Sequence, residues 1–255
     1  MGISKHTRED RRLHICISPD CNNNCIFCME EDREARKRRL TLFSKDEVRD
    51  ILLNETQCKD VTFTAGEPTL HPDLPLFIGW AKETGFDRIG RVTNGRRLSY
   101  EPYAKNLLNL GLNHVVVSIH GHNSRLHDGL TRTPGSFEQT VGGIEVLKAL
   151  SEQYELELVL AAVVNKRNLE HMAPLIDFLL GFNPRQVVLN TIQPLGRGQS
   201  LFDKLVPAYS DVVDKLLAVV SKLGNSHIVR LIDAPPCIAV KLPVENRGEM
   251  EEHKH

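Results

Sequence analysis

The stretch that decides the fold is Leu13-His14-Ile15-Cys16-Ile17-Ser18, followed after two residues by Cys21-Asn22-Asn23-Asn24-Cys25-Ile26-Phe27-Cys28. The first segment is a short, mostly apolar run, which is typical of a strand in a parallel sheet. The second segment therefore lies in the loop at the carboxyl end of that strand. In parallel α/β barrels, active sites are built on these loops. The sequence places its three clustered cysteines at the functional edge of a sheet.

Five further apolar runs alternate with amphipathic stretches along the chain. Strands are predicted over 13–18, 60–65, 88–93, 114–120, 156–164 and 186–192, and helices over 44–53, 73–83, 100–110, 136–150, 169–180 and 208–223. Serial β-α units imply right-handed crossovers and one parallel sheet. Six units are too few for an eight-stranded barrel. We therefore predict an α/β fold, a partial (β/α)6 open barrel of parallel strands with outer helices, and one further strand over 227–232.

Helix starts and domain limits follow from local signals. Ser44 with Glu47, and Ser136 with Gln139, have the spacing of a capping box. No internal repeat, low-complexity segment or linker divides the chain. We expect one core domain over 1–240, with the barrel over about 12–223 and a short C-terminal strand segment. Residues 241–255 are expected to form a polar, disordered tail.

Composition excludes several classes of protein. The 255 residues carry a formal net charge of −1, so nucleic acid is an unlikely partner. No run of 18 apolar residues exists and the first 12 residues are polar, so neither a membrane span nor a secretory signal is expected. Three of the six cysteines are clustered, which fits metal binding in a reducing compartment better than disulfides. We expect a cytoplasmic protein.

The number of clustered cysteines narrows the metal chemistry. Structural zinc is normally closed by four protein ligands, and a cubane iron–sulfur cluster normally takes four cysteines. Three cysteines would leave one iron open to bind and activate a small molecule. The alternative is a noncatalytic zinc-binding or regulatory barrel, whose fourth ligand could be Cys16, Cys58, Cys237 or a histidine. The residues alone leave both possibilities open.

Two motifs resemble a known family. The pattern Cys-x3-Cys-x-aromatic-Cys resembles the signature of the radical S-adenosylmethionine (radical SAM) superfamily. Thr64-Ala65-Gly66-Glu67-Pro68-Thr69 is similar to the family's Gly-Gly-Glu-Pro segment, with Ala65 in place of the first glycine. The segments at 118–121 and 131–137 resemble the branch that contains the molybdenum-cofactor cyclase and the peptide-modifying maturases. The resemblance covers about 13–198.

The resemblance implies a reaction and its cofactors. Cys21, Cys25 and Cys28 would hold a [4Fe–4S] cluster whose fourth iron binds S-adenosylmethionine. Reductive cleavage would give methionine and a 5′-deoxyadenosyl radical that abstracts hydrogen from substrate, in an oxygen-sensitive enzyme. The implied partners are a one-electron donor such as flavodoxin or ferredoxin, and a substrate. We lean slightly to a peptide or protein substrate over a small metabolite or nucleotide.

The resemblance also implies site residues at the strand ends. Those expected to bind the cofactor are Phe27, Ala65, Gly66, Glu67, Pro68, Thr93, Asn94, Ser118, Val163, Asn165 and Leu195. His120 and Arg132, in the loop predicted over 120–134, are catalytic candidates: His120 for proton transfer, and Arg132 for the cofactor carboxylate or an acidic substrate. The basic run Arg33, Arg36, Lys37, Arg38 and Arg39 is interpreted as solvated surface, or else as an attractor of acidic partners.

Overall fold

Seven parallel strands form one sheet in the computed structural model, which describes residues 12–30, 33–39, 41–55, 57–223 and 228–247. Each strand pairs with the next one in chain order. The strands are β1 Arg12–Cys16, β2 Asp60–Thr64, β3 Arg88–Thr93, β4 His114–Ser118, β5 Glu157–Val163, β6 Gln186–Asn190 and β7 Val229–Ile232. The prediction of an open barrel of parallel strands is confirmed, with β7 as the additional strand; residue 227 lies outside the described residues.

Helices lie between the strands and cover one face of the sheet. They are α1 Arg33–Arg39, α2 Lys45–Asn54, α3 Leu74–Glu83, α4 Glu101–Asn109, α5 Ser124–Thr131, α6 Ser136–Leu150, α7 Met172–Leu180, α8 Gly196–Ser200, α9 Phe202–Leu205, α10 Tyr209–Val220 and α11 Pro236–Ala239. None of these helices is long and apolar enough to cross a membrane.

Alternation along the strands separates the core from the inside of the barrel. In β4, Val115 and Val117 are fully buried, whereas Val116 and Ser118 are only half-buried. Successive strand residues point to opposite faces. The buried set packs under the helices, as where Phe63 of β2 meets Phe77 of α3 with ring centroids 6.3 Å apart. The other set lines the open interior, which is the face available to a ligand.

One capping prediction is confirmed and one is wrong. Ser44 Oγ accepts from the Glu47 amide, and the Glu47 carboxylate accepts from the Ser44 amide, at 3.2 and 2.8 Å. At α6, however, the cap is Gly135, and the Ser136 hydroxyl donates to Asp128 at 2.8 Å. The same carboxylate accepts from the Phe137 amide at 2.8 Å. Ser136 is thus the first residue of α6 and not its cap, and the Gln139 amide that it was predicted to serve donates to the Gly135 carbonyl at 3.4 Å.

Two stretches for which no helix was predicted are helical. The stretch 120–134 contains α5, because the Asn123 side chain accepts from the Leu126 amide at 3.0 Å and caps the helix. The basic run forms α1. Residues 242–247, expected to belong to the polar tail, pack against the sheet: Leu242 and Asn246 are buried, and Asn246 Nδ2 donates to the Val229 carbonyl at 2.7 Å. Residues 248–255 lie outside the described residues.

His114 makes the fold sensitive to acid. It is buried at the amino end of β4, and burial, with the Arg88 and Arg12 charges, lowers its pKa from the usual 6.5 to about 3. The unfolded chain therefore takes up a proton below pH 6.5 that the folded chain refuses until about pH 3. Stability should fall as the pH drops through this window, by about 2–3 kcal/mol at pH 4.5. Chemical denaturation of wild type and His114→Gln at pH 7 and 4.5 tests this; equal losses in both would contradict it.

Candidate active site

The three clustered cysteines converge on one pocket at the carboxyl edge of the sheet. All three are half-buried, and the pocket is lined by Cys21, Asn23, Asn24, Cys25, Cys28, Arg36 and Arg197. The backbone of their loop is held by α5, since the Asn24 and Ile26 amides donate to the Thr131 and Leu130 carbonyls at 2.9 and 3.0 Å. The predicted convergence of the cysteine side chains is therefore present in the fold.

Phe27, predicted to contact the cofactor, is buried beneath the cysteine loop. It belongs to a small apolar cluster with Ile26, Leu130, Ile192 and Leu205. Its ring also meets the edge of His120, with centroids 4.7 Å apart. This packing anchors the loop from below and leaves the flanking Cys25 and Cys28 to line the pocket.

The protein environment alone favours protonated thiols. Burial raises the pKa of Cys21 to about 11, the Asn23 amide opposes this, and the Glu67 charge adds to it. Burial and the neighbouring Cys28 and Cys21 raise the pKa of Cys25 further. Metal ligation requires thiolates, so a positively charged metal group must displace these protons when it binds. Three such thiols lining one pocket fit a metal group that takes three thiolate ligands.

The zinc alternative lacks a complete ligand set. Besides the three cysteines, the described residues that line the pocket include no Cys, His, Asp or Glu that could serve as a fourth zinc ligand. Cys16 and Cys237 are exposed on β1 and α11, and Cys58 is buried in the main core. None of the three lines the pocket of the triplet.

The turn after β2 contacts both ends of the cysteine loop. Ala65 and Gly66 both adopt positive φ, at 68° and 54°. The Gly66 amide donates to Glu30 Oε1 at 3.1 Å, and the Glu67 amide donates to the Asp20 carbonyl at 2.6 Å. Ala65 adopts a conformation that a glycine would adopt with less strain. The turn thus contacts the residues that flank the cysteine motif on both sides.

Gly66→Ala is expected to destabilise the chain by about 2–5 kcal/mol and to reduce cluster loading. An added Cβ would lie 2.3 Å from the Asp20 carbonyl oxygen and 2.7 Å from that of Ser18. Left-handed strain costs about 1–2 kcal/mol and overpacking about 1–3 kcal/mol. Thermal unfolding and iron content after reconstitution measure both effects. Gly135→Ala is the matched control, because φ is also positive (+77°) but no atom lies within 4 Å. Similar losses in both variants would show that contact with the cysteine loop is unimportant.

The Glu67 carboxylate is engaged inside the protein. It is 1 % exposed and accepts from Thr93 Oγ1 at 2.6 Å, Thr69 Oγ1 at 2.7 Å and the Asn94 amide at 2.6 Å. The buried guanidinium of Arg91 interacts electrostatically with it. Pro68 begins the buried turn that follows. Glu67 and Thr93, both predicted to bind the cofactor, thus use their side chains to join the ends of β2 and β3.

Residues at the end of β3 hold the cysteine loop. Asn94 Nδ2 donates to Asn22 Oδ1 at 2.6 Å. Arg96 Nη1 donates to the Asn22 carbonyl at 2.6 Å and to Asn23 Oδ1 at 3.0 Å. The side chain of Asn94, a predicted site residue, therefore contacts the cysteine loop, and Arg96 adds a contact that sequence reasoning missed.

His120 contacts both β5 and α5. Its Nδ1 accepts from the Val163 amide at 3.2 Å, and its ring stacks on His127 with centroids 5.7 Å apart. Burial, and then His127, lower the pKa of His120 well below its usual value. The imidazole is therefore neutral, with Nδ1 occupied as an acceptor. This geometry favours positioning of β5 over the predicted proton transfer.

The other predicted residues differ in how they are placed. Ser118 and Val163 are half-buried at the ends of β4 and β5, where they face the open interior. Leu195 is 42 % exposed beside α8. Asn165 is buried and uses its amide within its own turn, donating to the Val163 carbonyl at 3.0 Å. Arg132 is exposed at the end of α5, and its side chain makes no hydrogen bond or ion pair with any residue that the structure describes.

Two arginines of the pocket were missed by sequence reasoning. Arg197 Nη1 donates to the carbonyls of Asn24 and Cys25 at 2.8 and 2.9 Å. Arg36 is 3 % exposed and pairs with Glu30 at 2.6 Å, so its interpretation as solvated surface is wrong. The Gly-Arg-Gly segment after β6 was a usable signal for Arg197. Nothing in the basic run distinguished Arg36 from its neighbours.

Comparison with known proteins agrees with this geometry. A family model described as the radical SAM superfamily matches residues 15–179. Two relatives named "Probable GTP 3',8-cyclase" are 28% identical over 204 residues (Sulfurisphaera tokodaii, 79% of this chain) and 30% identical over 198 residues (Sulfolobus acidocaldarius, 76% of this chain). The chain spans only 62% and 60% of the lengths of these relatives.

A solved structure has the same fold. Streptococcus suis SuiB bound to S-adenosylmethionine aligns with a TM-score of 0.62 at 17% identity, covering 82% of this chain and 47% of SuiB. The predicted resemblance to the branch of cyclases and maturases is confirmed. At this identity the likeness concerns the fold.

Proposed function

Because the chain belongs to the radical SAM superfamily, we propose that it is an enzyme that cleaves S-adenosylmethionine reductively and abstracts hydrogen from a substrate. The observation that carries the proposal is the pocket that Cys21, Cys25 and Cys28 line together, next to Glu30, which accepts from the Gly66 amide. The cofactors of the family are a [4Fe–4S] cluster and S-adenosylmethionine. When bound, the reduced cluster supplies the electron that splits the sulfonium of S-adenosylmethionine into methionine and a 5′-deoxyadenosyl radical.

Different residues of this chain would hold the cluster and S-adenosylmethionine. The three cysteines would ligate the cluster, and three ligands leave one iron for the cofactor. The turn at 65–67 would contact the cofactor through its backbone, because the Glu67 carboxylate is occupied by Thr69, Thr93 and Asn94. Ser118, Val163 and Leu195 are the predicted residues with exposed or half-exposed surface for the rest of the cofactor.

Two substrate classes are considered for this reaction: a peptide or protein, and a small metabolite or nucleotide. The slight preference for a peptide or protein stays a prediction. The names of the sequence relatives favour a purine nucleotide instead. A one-electron donor such as flavodoxin or ferredoxin is proposed as partner, with dithionite as its chemical substitute.

The test is anaerobic 5′-deoxyadenosine production by the reconstituted, dithionite-reduced protein, with GTP or candidate peptides present. Deuterium transfer from labelled substrate into 5′-deoxyadenosine would identify the substrate class. Iron, sulfide and zinc contents are measured on the same samples. A protein that reconstitutes no iron–sulfur cluster and binds zinc would contradict the proposal. Deuterium transfer from a peptide but not from GTP would favour a peptide or protein substrate.

A further inference from the structure

A buried charge pair lies beside the third cysteine. The Arg36 guanidinium on α1 pairs with Glu30 through Nη1 at 2.6 Å, and the same nitrogen lies 4.0 Å from Cys28 Sγ. The side chains of Arg36 and Glu30 are 4% and 26% exposed. Arg36 Nε is buried and has no hydrogen-bond partner among the described residues. This guanidinium is therefore not a typical surface cation, and it lines the pocket of the triplet.

The pair also reaches the turn after β2. Glu30 uses Oε2 for Arg36 and Oε1 for the Gly66 amide, at 2.6 and 3.1 Å. The Glu30 carboxylate is thus fixed by two contacts, one to Arg36 and one to the Gly66 amide. The positive charge of Arg36 and the negative charge of Glu30 therefore have separate, fixed positions near the cysteines. Charges in such a poorly solvated position act more strongly than at the surface, where salt screens them.

These two charges would affect the reduction potential of an iron–sulfur cluster bound by the three cysteines. The reduction potential of an iron–sulfur cluster depends on nearby charge and on hydrogen bonds to its sulfurs. One-electron reduction of a [4Fe–4S]2+ cluster to the 1+ state adds one negative charge to the pocket. A fixed cation beside Cys28 stabilises that added charge, and a fixed anion opposes it.

We propose that Arg36 and Glu30 act as opposing positioning residues that set the reduction potential of the cluster, Arg36 raising it and Glu30 lowering it. The proposal rests on the proposed function, because it needs a cluster on Cys21, Cys25 and Cys28. The electron comes from the external one-electron donor, or from dithionite in the experiment. Arg36 differs from Arg38 on the same helix, which is exposed, by its burial and by its contact with the site.

The experiment is a redox titration of the reconstituted protein in the absence of S-adenosylmethionine. The electron paramagnetic resonance signal of the reduced cluster is measured at each potential. Arg36→Gln should disfavour one-electron reduction by at least tenfold, a shift of about 59 mV to lower potential. Glu30→Gln keeps an acceptor for the Gly66 amide and should shift the potential in the opposite direction. Arg36→Lys should recover part of the wild-type value, because it keeps the charge.

Arg38→Gln is the matched control, since it removes the same charge from an exposed position on the same helix. It should leave the potential at the wild-type value. Iron and sulfide contents show whether each variant holds a cluster. Intact clusters with equal potentials in the Arg36→Gln, Glu30→Gln and Arg38→Gln proteins would overturn this inference and leave the proposed function standing. If Arg36→Gln fails to assemble, an unshifted potential in Glu30→Gln overturns it equally. A wild-type protein without a cluster would overturn both proposals.

Discussion

Replacing Cys25 with alanine is expected to remove the iron–sulfur cluster and to reduce 5′-deoxyadenosine production to background. Cys25 is the middle cysteine of the triplet, and burial together with Cys28 and Cys21 raises its pKa. A cubane that has only two remaining thiolates, and one iron reserved for the cofactor, is short of a ligand. Iron and sulfide content, visible absorption and deoxyadenosine production are measured on anaerobically reconstituted wild type and variant.

The control is Cys237→Ala, which removes an exposed thiol on α11 outside the pocket. It should leave iron content and deoxyadenosine production unchanged. Full cleavage activity in Cys25→Ala would show that the triplet does not hold the working cluster. Loss of both readouts in the two variants alike would point to a C-terminal ligand.

Glu67→Ala is expected to destabilise the whole fold by about 3–5 kcal/mol, and not only to weaken cofactor binding. The carboxylate accepts hydrogen bonds from Thr69, Thr93 and Asn94, and it favours the charged form of the fully buried Arg91, whose pKa burial lowers. Its removal leaves buried donors without acceptors and a buried cation without its counter-charge. Thermal and chemical unfolding of the apoprotein measure the loss without involving the cofactor.

The comparison is Glu170→Ala, which removes an exposed carboxylate that is paired with Lys215 at 2.8 Å. Surface pairs of this kind contribute about 0–1 kcal/mol, so this variant should unfold close to wild type. An apoprotein of Glu67→Ala with wild-type stability, but with weaker binding of S-adenosylmethionine, would restore the direct cofactor contact first expected for this residue.

Much of the site could be predicted from the sequence, because its main motifs are local. The cysteine loop and the turn at 64–69 each follow an apolar run, and parallel strands bring such loops to one edge. The errors arose where a partner lies elsewhere in the chain. Ser136 has the spacing for a capping box, but its hydroxyl donates to Asp128 of the preceding helix and Gly135 is the cap. For Glu67 the cofactor role stays a prediction; the structure adds hydrogen bonds to its carboxylate from Thr93, at the end of β3, and from Asn94, which follows β3.

The sequence by itself determined the order of the strands, the edge at which the cysteines lie, and the spacing of the three cysteines that could ligate a metal group. These properties depend on residue periodicity and on ligand spacing within a few residues. Only the tertiary structure decided which charged side chains serve the site. Arg197 reaches the Asn24 carbonyl across 173 residues, and Arg36 is buried although Arg38 on the same helix is exposed. The reason is physical: whether an arginine is solvated or buried depends on which surface its helix or loop meets.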